Sequence, residues 1–132
     1  MTRGMERFVL VCLGGAIGTG LRYATAGLAA RWLGADFPYG TLIVNVVGSF
    51  LIGLIQEIGT TTPIVSESPR LFLTVGIMGG LTTYSAFSYE TVRLAQSGAW
   101  AQAWTNVLAT TALCLAVCFL GMTAGRLIVP RA

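Results

Sequence analysis

Residues 71–89 read LFLTVGIMGGLTTYSAFSY, a stretch without a charged side chain, and this stretch decides the fold. A helix needs about 20 apolar residues to cross the hydrocarbon of a bilayer, so the stretch predicts a membrane-spanning helix. Its centre, from Gly79 to Thr83, combines two glycines with two threonines, which are poor residues for the middle of a helix. The sequence therefore predicts that the helix breaks there and resumes as a second half-helix through Tyr84 and Phe87.

A break at this depth creates a place where an ion can bind. Backbone outside a helix is tolerated in hydrocarbon only where protein or a cavity covers it, because its peptide groups have no water to bond. Such backbone frees carbonyl oxygens that can hold a cation, and the next half-helix turns its positive N-terminus inward. The break predicts an ion site, and a glycine kink that serves only packing is the alternative.

The rest of the chain is also strongly apolar. Of its 132 residues 55% are hydrophobic and 10% are charged, and the mean hydropathy is +0.76, which excludes an ordinary soluble domain. Three further stretches lack charge, namely Phe8–Leu21, Phe37–Gln56 and Leu94–Gly125. The first reaches spanning length if its helix continues past Arg22 to about Ala30, with the guanidinium extended toward the headgroups.

These stretches predict an all-α membrane protein, a single domain over residues 1–132 with four transmembrane helices and a broken third helix. Connections are expected near residues 32–40, 60–70 and 95–100, and the positions of Trp32, Trp100 and Trp104 are typical of interfacial aromatic residues. A cleaved signal peptide is the alternative for the N-terminus. It is disfavoured because the first apolar run is rich in glycine and Arg22 lies just before the proposed cleavage site, two residues ahead of the small-residue motif at 24–26.

The chain has few reactive side chains. It has eight arginines and five acidic residues, with no lysine and no histidine. Because the arginines are scattered singly, nucleic-acid binding is not expected, and the lack of histidine excludes the usual zinc sites and histidine triads. Cys12, Cys114 and Cys118 lie in apolar surroundings without a CxxC pair, and we interpret them as small buried hydrophobic residues. An enzyme is the least expected class.

Arginine and glycine positions bear on assembly. With four crossings, one side of the membrane carries Arg3, Arg7, Arg70, Arg126 and Arg131, and the other carries Arg22, Arg31 and Arg93. This bias is too weak to orient the chain well, so insertion in both directions is expected.

The pairs Gly14/Gly18, Gly76/Gly80 and Gly121/Gly125 allow helices to approach closely, either within one protomer or between protomers. Four helices hardly enclose a polar pathway, which favours an oligomer.

Polar side chains inside the charge-free stretches form two stripes. Thr41, Asn45 and Ser49 recur every four residues in the second helix, and Asn106, Thr110 and Cys114 do so in the fourth, with Thr105 and Thr111 beside them. Hydrogen bonds between helices, worth roughly 0.6–2 kcal/mol each in membranes, are one explanation. A polar pathway is the other, and it is favoured for Asn45.

Two aromatic residues follow the predicted break. Tyr84 and Phe87 are three residues apart and share a helix face with Ser88 and Thr91. The edges of aromatic rings carry partial positive charge, so edges turned into a pathway would attract an anion. Core packing is the usual role of such a pair, and periodicity alone favours it.

Three motifs together resemble the Fluc/CrcB fluoride channels. They are GGAIG at 14–18 with LRY at 21–23, YGTL at 39–42 leading to Asn45 and GSF at 48–50, and GGLTTYSAFS at 79–88 with Glu90. The match covers all four helices in the family's order. It implies a dual-topology homodimer of antiparallel protomers in the inner membrane, with two pores at their interface that pass fluoride passively out of the cell.

The resemblance also implies a fluoride pathway. Ring edges would come from Phe87 and from Tyr84, where the family has a second phenylalanine. Amide and hydroxyl groups are implied at Asn45, Thr41, Ser85, Ser88 and Thr110, and we add Asn106 from its stripe. Tyr84 would bring a hydroxyl that could donate to the ion or change the width of the pore. Cys114, a weaker donor, stands where the family has a serine.

An implied sodium ion and an implied pore mouth complete the site. The resemblance implies a structural sodium ion at the dimer centre, held by the carbonyls of Gly79 and Thr82, and oxygen ligands suit such a hard cation. It puts Arg22 at the mouth of the pore, where its charge would concentrate anions. A headgroup anchor is the alternative for Arg22, and Glu90 either orders the third helix or touches the pathway.

Two other functional classes remain as alternatives. A small four-helix multidrug exporter has a similar length, but it couples protons through a carboxylate in its first helix, and residues 8–30 contain no acid. A non-transporting assembly subunit would use the polar stripes only for adhesion between helices.

Overall fold

The computed structural model describes residues 2–61 and 66–129, and the regular structure in this part of the chain is helical. Helix α1 spans Arg3–Leu33, α2 Tyr39–Thr61, α3 Glu67–Leu71, α4 Gly79–Leu81, α5 Tyr84–Gln96 and α6 Trp100–Ile128, and a π-helical segment, Phe72–Met78, joins α3 to α4. Four units are long and apolar enough to cross a membrane, namely α1, α2, α6 and the third span, Glu67–Gln96. The predicted four-helix architecture is confirmed.

The first helix passes Arg22 as predicted and ends at Leu33, where Gly34 adopts a φ of 88° that favours glycine. The connections at 34–38 and 97–99 lie within the predicted ones. The middle connection includes residues 62–65, which lie outside the described residues, as does Arg131.

The third span breaks at Thr82 and Thr83. Thr82 is extended, with φ −79° and ψ 154°, and Thr83 has φ −154° and ψ 115°. Helix α5 then begins at Tyr84, where the Thr83 hydroxyl caps it by accepting a hydrogen bond of 3.2 Å from the Ala86 amide. The predicted break is confirmed, but it is shorter than the run from Gly79 to Thr83, because the two glycines stay helical in α4. The π-helical segment was not predicted, since its apolar residues resemble those of an α-helix.

Glycine pairs bring the spans together within the chain. A Cβ added at Gly14 would lie 2.7 Å from the Phe72 carbonyl oxygen, and one added at Gly76 would lie 3.0 Å from Gly14 Cα. Gly18 and Gly80 belong to the same contact between α1 and the third span, and Gly121 and Gly125 face α2 from α6. All three predicted pairs therefore act in packing between helices of one chain.

Polar contacts join the helices at the end where α2 and α6 finish. Arg126 Nε donates to Glu57 Oε1 at 2.9 Å, and Glu57 is buried between α2 and α6. Arg70 Nη1 donates to the Gly59 carbonyl at 3.3 Å, and Arg7 pairs with Glu67. Arg7, Arg70 and Arg126, which the sequence puts on the same side of the membrane, thus connect the spans to one another.

The outward faces are apolar, as a membrane requires. Trp32, Trp100 and Trp104 are exposed on the protein surface. The interpretation of the cysteines as buried was wrong for Cys12, which is exposed, while Cys114 and Cys118 are partly buried, and all three are free thiols. The small core of the described residues lies around Val44, Met78 and Leu81.

Candidate functional site

A cavity of about 330 Å³ lies between the break, α2, α5 and α6; we call it the aromatic cavity. It brings together four of the predicted pathway residues from three spans. They are Asn45, Tyr84, Phe87 and Thr110, and the cavity is completed by Ser49, Thr82, Thr83, Thr111, Cys114 and Leu115. None of these lining residues is charged, so the cavity offers amide, hydroxyl and ring-edge groups among apolar walls.

The side-chain amide of Asn45 makes hydrogen bonds to the backbone at the break through both its nitrogen and its oxygen. Its Nδ2 donates to the Thr83 carbonyl at 3.1 Å, and its Oδ1 accepts from the Thr83 amide at 2.7 Å. In a continuous helix the Thr83 amide would bond the Gly79 carbonyl, so this pair replaces the helical bond that the break removes. An amide nitrogen has two hydrogens, and only one is used here, which leaves Asn45 one further donor.

The aromatic pair is close but unequally covered. The ring centroids of Tyr84 and Phe87 are 5.4 Å apart with an angle of 49° between the planes, which is a tilted arrangement. Phe87 is 8% exposed, whereas Tyr84 is 80% exposed. The chain therefore encloses the Phe87 ring and leaves the Tyr84 ring open.

A second cavity of about 230 Å³ lies on the α1 side of the break; we call it the arginine cavity. It contains Arg22, Thr41 and Glu90. Thr41 Oγ1 donates to Glu90 Oε1 at 2.8 Å, so the single hydroxyl hydrogen of this predicted pathway residue is already used. The other Glu90 oxygen, Oε2, is buried and has no hydrogen-bond partner among the described residues.

Several predicted donors use their hydrogens inside the protein. Ser88 Oγ donates to the Tyr84 carbonyl at 2.9 Å, and Thr110 Oγ1 donates to Asn106 Oδ1 at 3.2 Å. Ser85 Oγ lies 3.2 Å from Thr83 Oγ1, and either hydroxyl can donate to the other. The hydroxyl that accepts this bond keeps its own hydrogen free. Asn106 is 1% exposed and lines neither cavity.

The break changes the hydrogen bonding of the backbone carbonyls beside it. The Thr83 amide turns to Asn45 and releases the Gly79 carbonyl from its helical bond, and the extended Thr82 points its own carbonyl away from the helical ladder. Gly79 lies on an exposed face of the third span. The two oxygens fit a hard cation by type, but two ligands are too few to enclose one.

Known proteins have sequences similar to this one. Residues 9–122 match the family described as CrcB-like protein, Camphor Resistance (CrcB). The chain belongs to the CrcB family. Among its relatives, the "Fluoride-specific ion channel FluC" of Sorangium cellulosum is 48% identical over 122 residues, covering 92% of this chain and 96% of that protein. The protein of the same name from Anaeromyxobacter dehalogenans is 51% identical over 115 residues, covering 87% and 91%.

Membership in the CrcB family, together with four apolar spans, makes this chain a multi-pass membrane protein. It confirms the family resemblance drawn from the three motifs. The roles that the resemblance implies for individual residues stay predictions, and the structure shows only where those residues lie.

Sequence reasoning missed Thr83 as a site residue of this CrcB chain. Thr83 lines both cavities, caps α5 and is bonded by Asn45 through its amide and its carbonyl. The signal was present, because a threonine directly before a resumed helix is a favoured N-cap. The structure thus divides the predicted residues into two groups, with Arg22 and Thr41 on one side of Thr83 and Asn45, Phe87 and Thr110 on the other.

Proposed function

We propose that this chain is a fluoride-selective channel that lets fluoride leave the cell passively across the inner membrane. Curated relatives at 48–51% identity are named fluoride-specific ion channels. The observation that carries the proposal is the aromatic cavity, where an amide, hydroxyls and the Phe87 ring meet without a charged residue.

The chemistry of fluoride explains why such a cavity suits it. Fluoride is small and strongly hydrated, so a pore must replace its water with short hydrogen bonds while staying too narrow for chloride. The free Asn45 hydrogen and the Thr83–Ser85 hydroxyl pair supply donors, and the ring edges of Phe87 and Tyr84 add weak attraction. A buried arginine beside them would bind the ion too firmly to release it.

Arg22 belongs to the entrance rather than to this cavity. It lines the arginine cavity, which is separated from the aromatic cavity by Thr83, and there its charge would raise the local concentration of anions. Thr41 donates to Glu90, so it offers the ion a hydrogen only after that bond opens. We infer a path from the arginine cavity, past Thr83, into the aromatic cavity.

The working unit is an antiparallel homodimer with two pores at its interface. This proposal is supported by what one protomer leaves uncovered, because Tyr84, Ser85 and Gly79 are all exposed beside the aromatic cavity or the break. Polar groups turned toward lipid lose their hydrogen-bond partners, and a second copy would cover them. The weak arginine bias is consistent with insertion in both directions.

A structural sodium ion at the centre of that dimer is part of the proposal. The carbonyls of Gly79 and Thr82 would supply two oxygen ligands, and the matching pair of a second protomer would supply two more. When bound, the ion would join the two broken spans by electrostatic attraction to their carbonyl oxygens.

Fluoride release from liposomes tests the function. Purified protein is reconstituted into vesicles loaded with fluoride or chloride, and a potassium ionophore removes the opposing voltage. We expect release of fluoride and retention of chloride. Vesicles that retain fluoride would refute the channel, and uptake of a cationic dye driven by a proton gradient would identify an exporter instead.

A further inference from the structure

Asn106 is the most deeply buried large side chain of the described residues, and both ends of its amide are occupied. Its Oδ1 accepts from Thr110, and its Nδ2 donates to Thr91 Oγ1 at 2.8 Å. Thr91 Oγ1 in turn donates to the Phe87 carbonyl at 2.7 Å. A chain of hydrogen bonds therefore runs from α6 to the backbone of the aromatic residue on α5.

Helix α5 needs such a connection because the break separates it from the rest of the third span. Its polar bonds to α2 are those between Asn45 and Thr83 and between Thr41 and Glu90. Toward α6, the side-chain bond runs from Asn106 to Thr91. Since α5 and α6 form two walls of the aromatic cavity, this bond joins the two walls.

We propose that Asn106 is a positioning residue, which clamps α5 to α6 through Thr91 and thereby sets the width of the aromatic cavity without touching the ion. The proposal rests on the proposed fluoride channel. It departs from the sequence-based placement of Asn106 on the pathway, because a side chain that is 1% exposed and lines neither cavity does not reach an ion there.

The flux experiment compares Asn106→Leu, Thr91→Val and the double variant. Each single change removes the bond between α5 and α6, so we expect each to slow fluoride release and raise chloride leak by about tenfold. The double variant should release fluoride no more slowly than Asn106→Leu, because both single changes break the same hydrogen bond between Asn106 and Thr91. Thr91→Ser restores the hydroxyl and should restore the rate. Thr105→Val is the matched control, since the Thr105 hydroxyl is exposed and donates to the Ala101 carbonyl of its own helix.

Three flux results would overturn the proposal. If Thr91→Val behaves as the wild type while Asn106→Leu is impaired, Asn106 acts on the ion itself. If the losses of the two variants add, the residues act independently. If fewer vesicles empty but those that empty do so at the normal rate and exclude chloride, Asn106 serves only folding.

A thiol probe tests the clamp without fluoride. Cys114 lines the aromatic cavity, so in a Cys12→Ala, Cys118→Ala background its reaction with a small methanethiosulfonate reports access to that cavity. We expect faster reaction after Asn106→Leu or Thr91→Val and no change after Thr105→Val. An unchanged rate in all variants would refute the clamp. A wild type that carries no fluoride would refute the proposed function, while the thiol rates would still decide the clamp.

Discussion

At the scale of single residues, a polar side chain can donate to an anion only if its hydrogen is not already bonded to another protein group. Thr41, Ser88 and Thr110 each direct their hydroxyl hydrogen to another protein group. Asn45 keeps one amide hydrogen, because only one of its two is needed for the Thr83 carbonyl. The number of groups that can replace water around an anion is therefore smaller than the number of polar residues in the sequence.

We expect Phe87→Ile to slow fluoride release by roughly three- to tenfold, because the loss of a ring-edge contact costs about 0.5–1.5 kcal/mol. The branched side chain fills similar space but has no positive edge. Phe119→Ile, at an exposed position of α6, is the control and should release fluoride normally. Both variants are measured by vesicle release with gel filtration of the same samples. Unchanged flux in Phe87→Ile would remove the ring from the mechanism.

We expect Asn45→Asp to reduce fluoride release by more than about a hundredfold, because a carboxylate a few ångströms from an anion in a partly buried site repels it by several kcal/mol. The change also removes the donor to the Thr83 carbonyl. Gln56→Glu adds the same charge to an exposed position of α2 and should have little effect. Wild-type flux in Asn45→Asp would show that the ion does not pass this amide.

At the scale of elements, close contact between helix backbones depends on individual glycine positions. Gly14 faces the backbone of the third span, whereas nothing lies within 4 Å of a Cβ added at its neighbour Gly15. Because α1 packs against the π-helical segment and α4 along this seam, it supports the part of the third span that precedes the break.

We expect Gly14→Ala to destabilise the protein by roughly 1–3 kcal/mol, because the new methyl group would meet backbone atoms that have no rotamer to change. Gly15→Ala should be neutral or stabilising by up to about 1 kcal/mol, since alanine is the better helix former. Thermal unfolding in detergent compares the two adjacent substitutions. Equal stability of both variants would show that the seam between α1 and the third span is looser than the structure indicates.

At the scale of the whole molecule, the single chain leaves part of the candidate site uncovered. The ring of Tyr84 is 80% exposed next to the aromatic cavity, and Gly79 beside the break is also exposed. Both features call for a second copy of this chain, which is why we propose a dimer with a central sodium ion.

Sodium removal tests that assembly. We expect prolonged dialysis against a bulky organic cation such as N-methylglucamine to reduce both the dimer fraction on gel filtration and fluoride release, because the carbonyls of the two broken spans lose the charge between them. Return to sodium should restore both. Full activity and an intact dimer after complete exchange would contradict the sodium site while leaving the fluoride channel in place.

The sequence alone determined the four spans, the break in the third span and the polar stripes. These features follow from local properties, namely the length of apolar stretches, the poor helix propensity of adjacent glycines and threonines, and a spacing of four residues. The motif at 79–88 also pointed to the correct family.

Only the tertiary structure decided which groups the polar side chains of the two stripes bond. Asn45 meets Thr83 across 38 residues and Thr41 meets Glu90 across 49, and no local pattern specifies such partners. The bonds between Asn45 and Thr83 add Thr83, which lines both cavities, to the site, and the bond between Thr41 and Glu90 consumes the hydroxyl hydrogen of Thr41. The physical reason is that helix propensity and hydrophobicity act along the chain, whereas the choice of a hydrogen-bond partner depends on which helices come together.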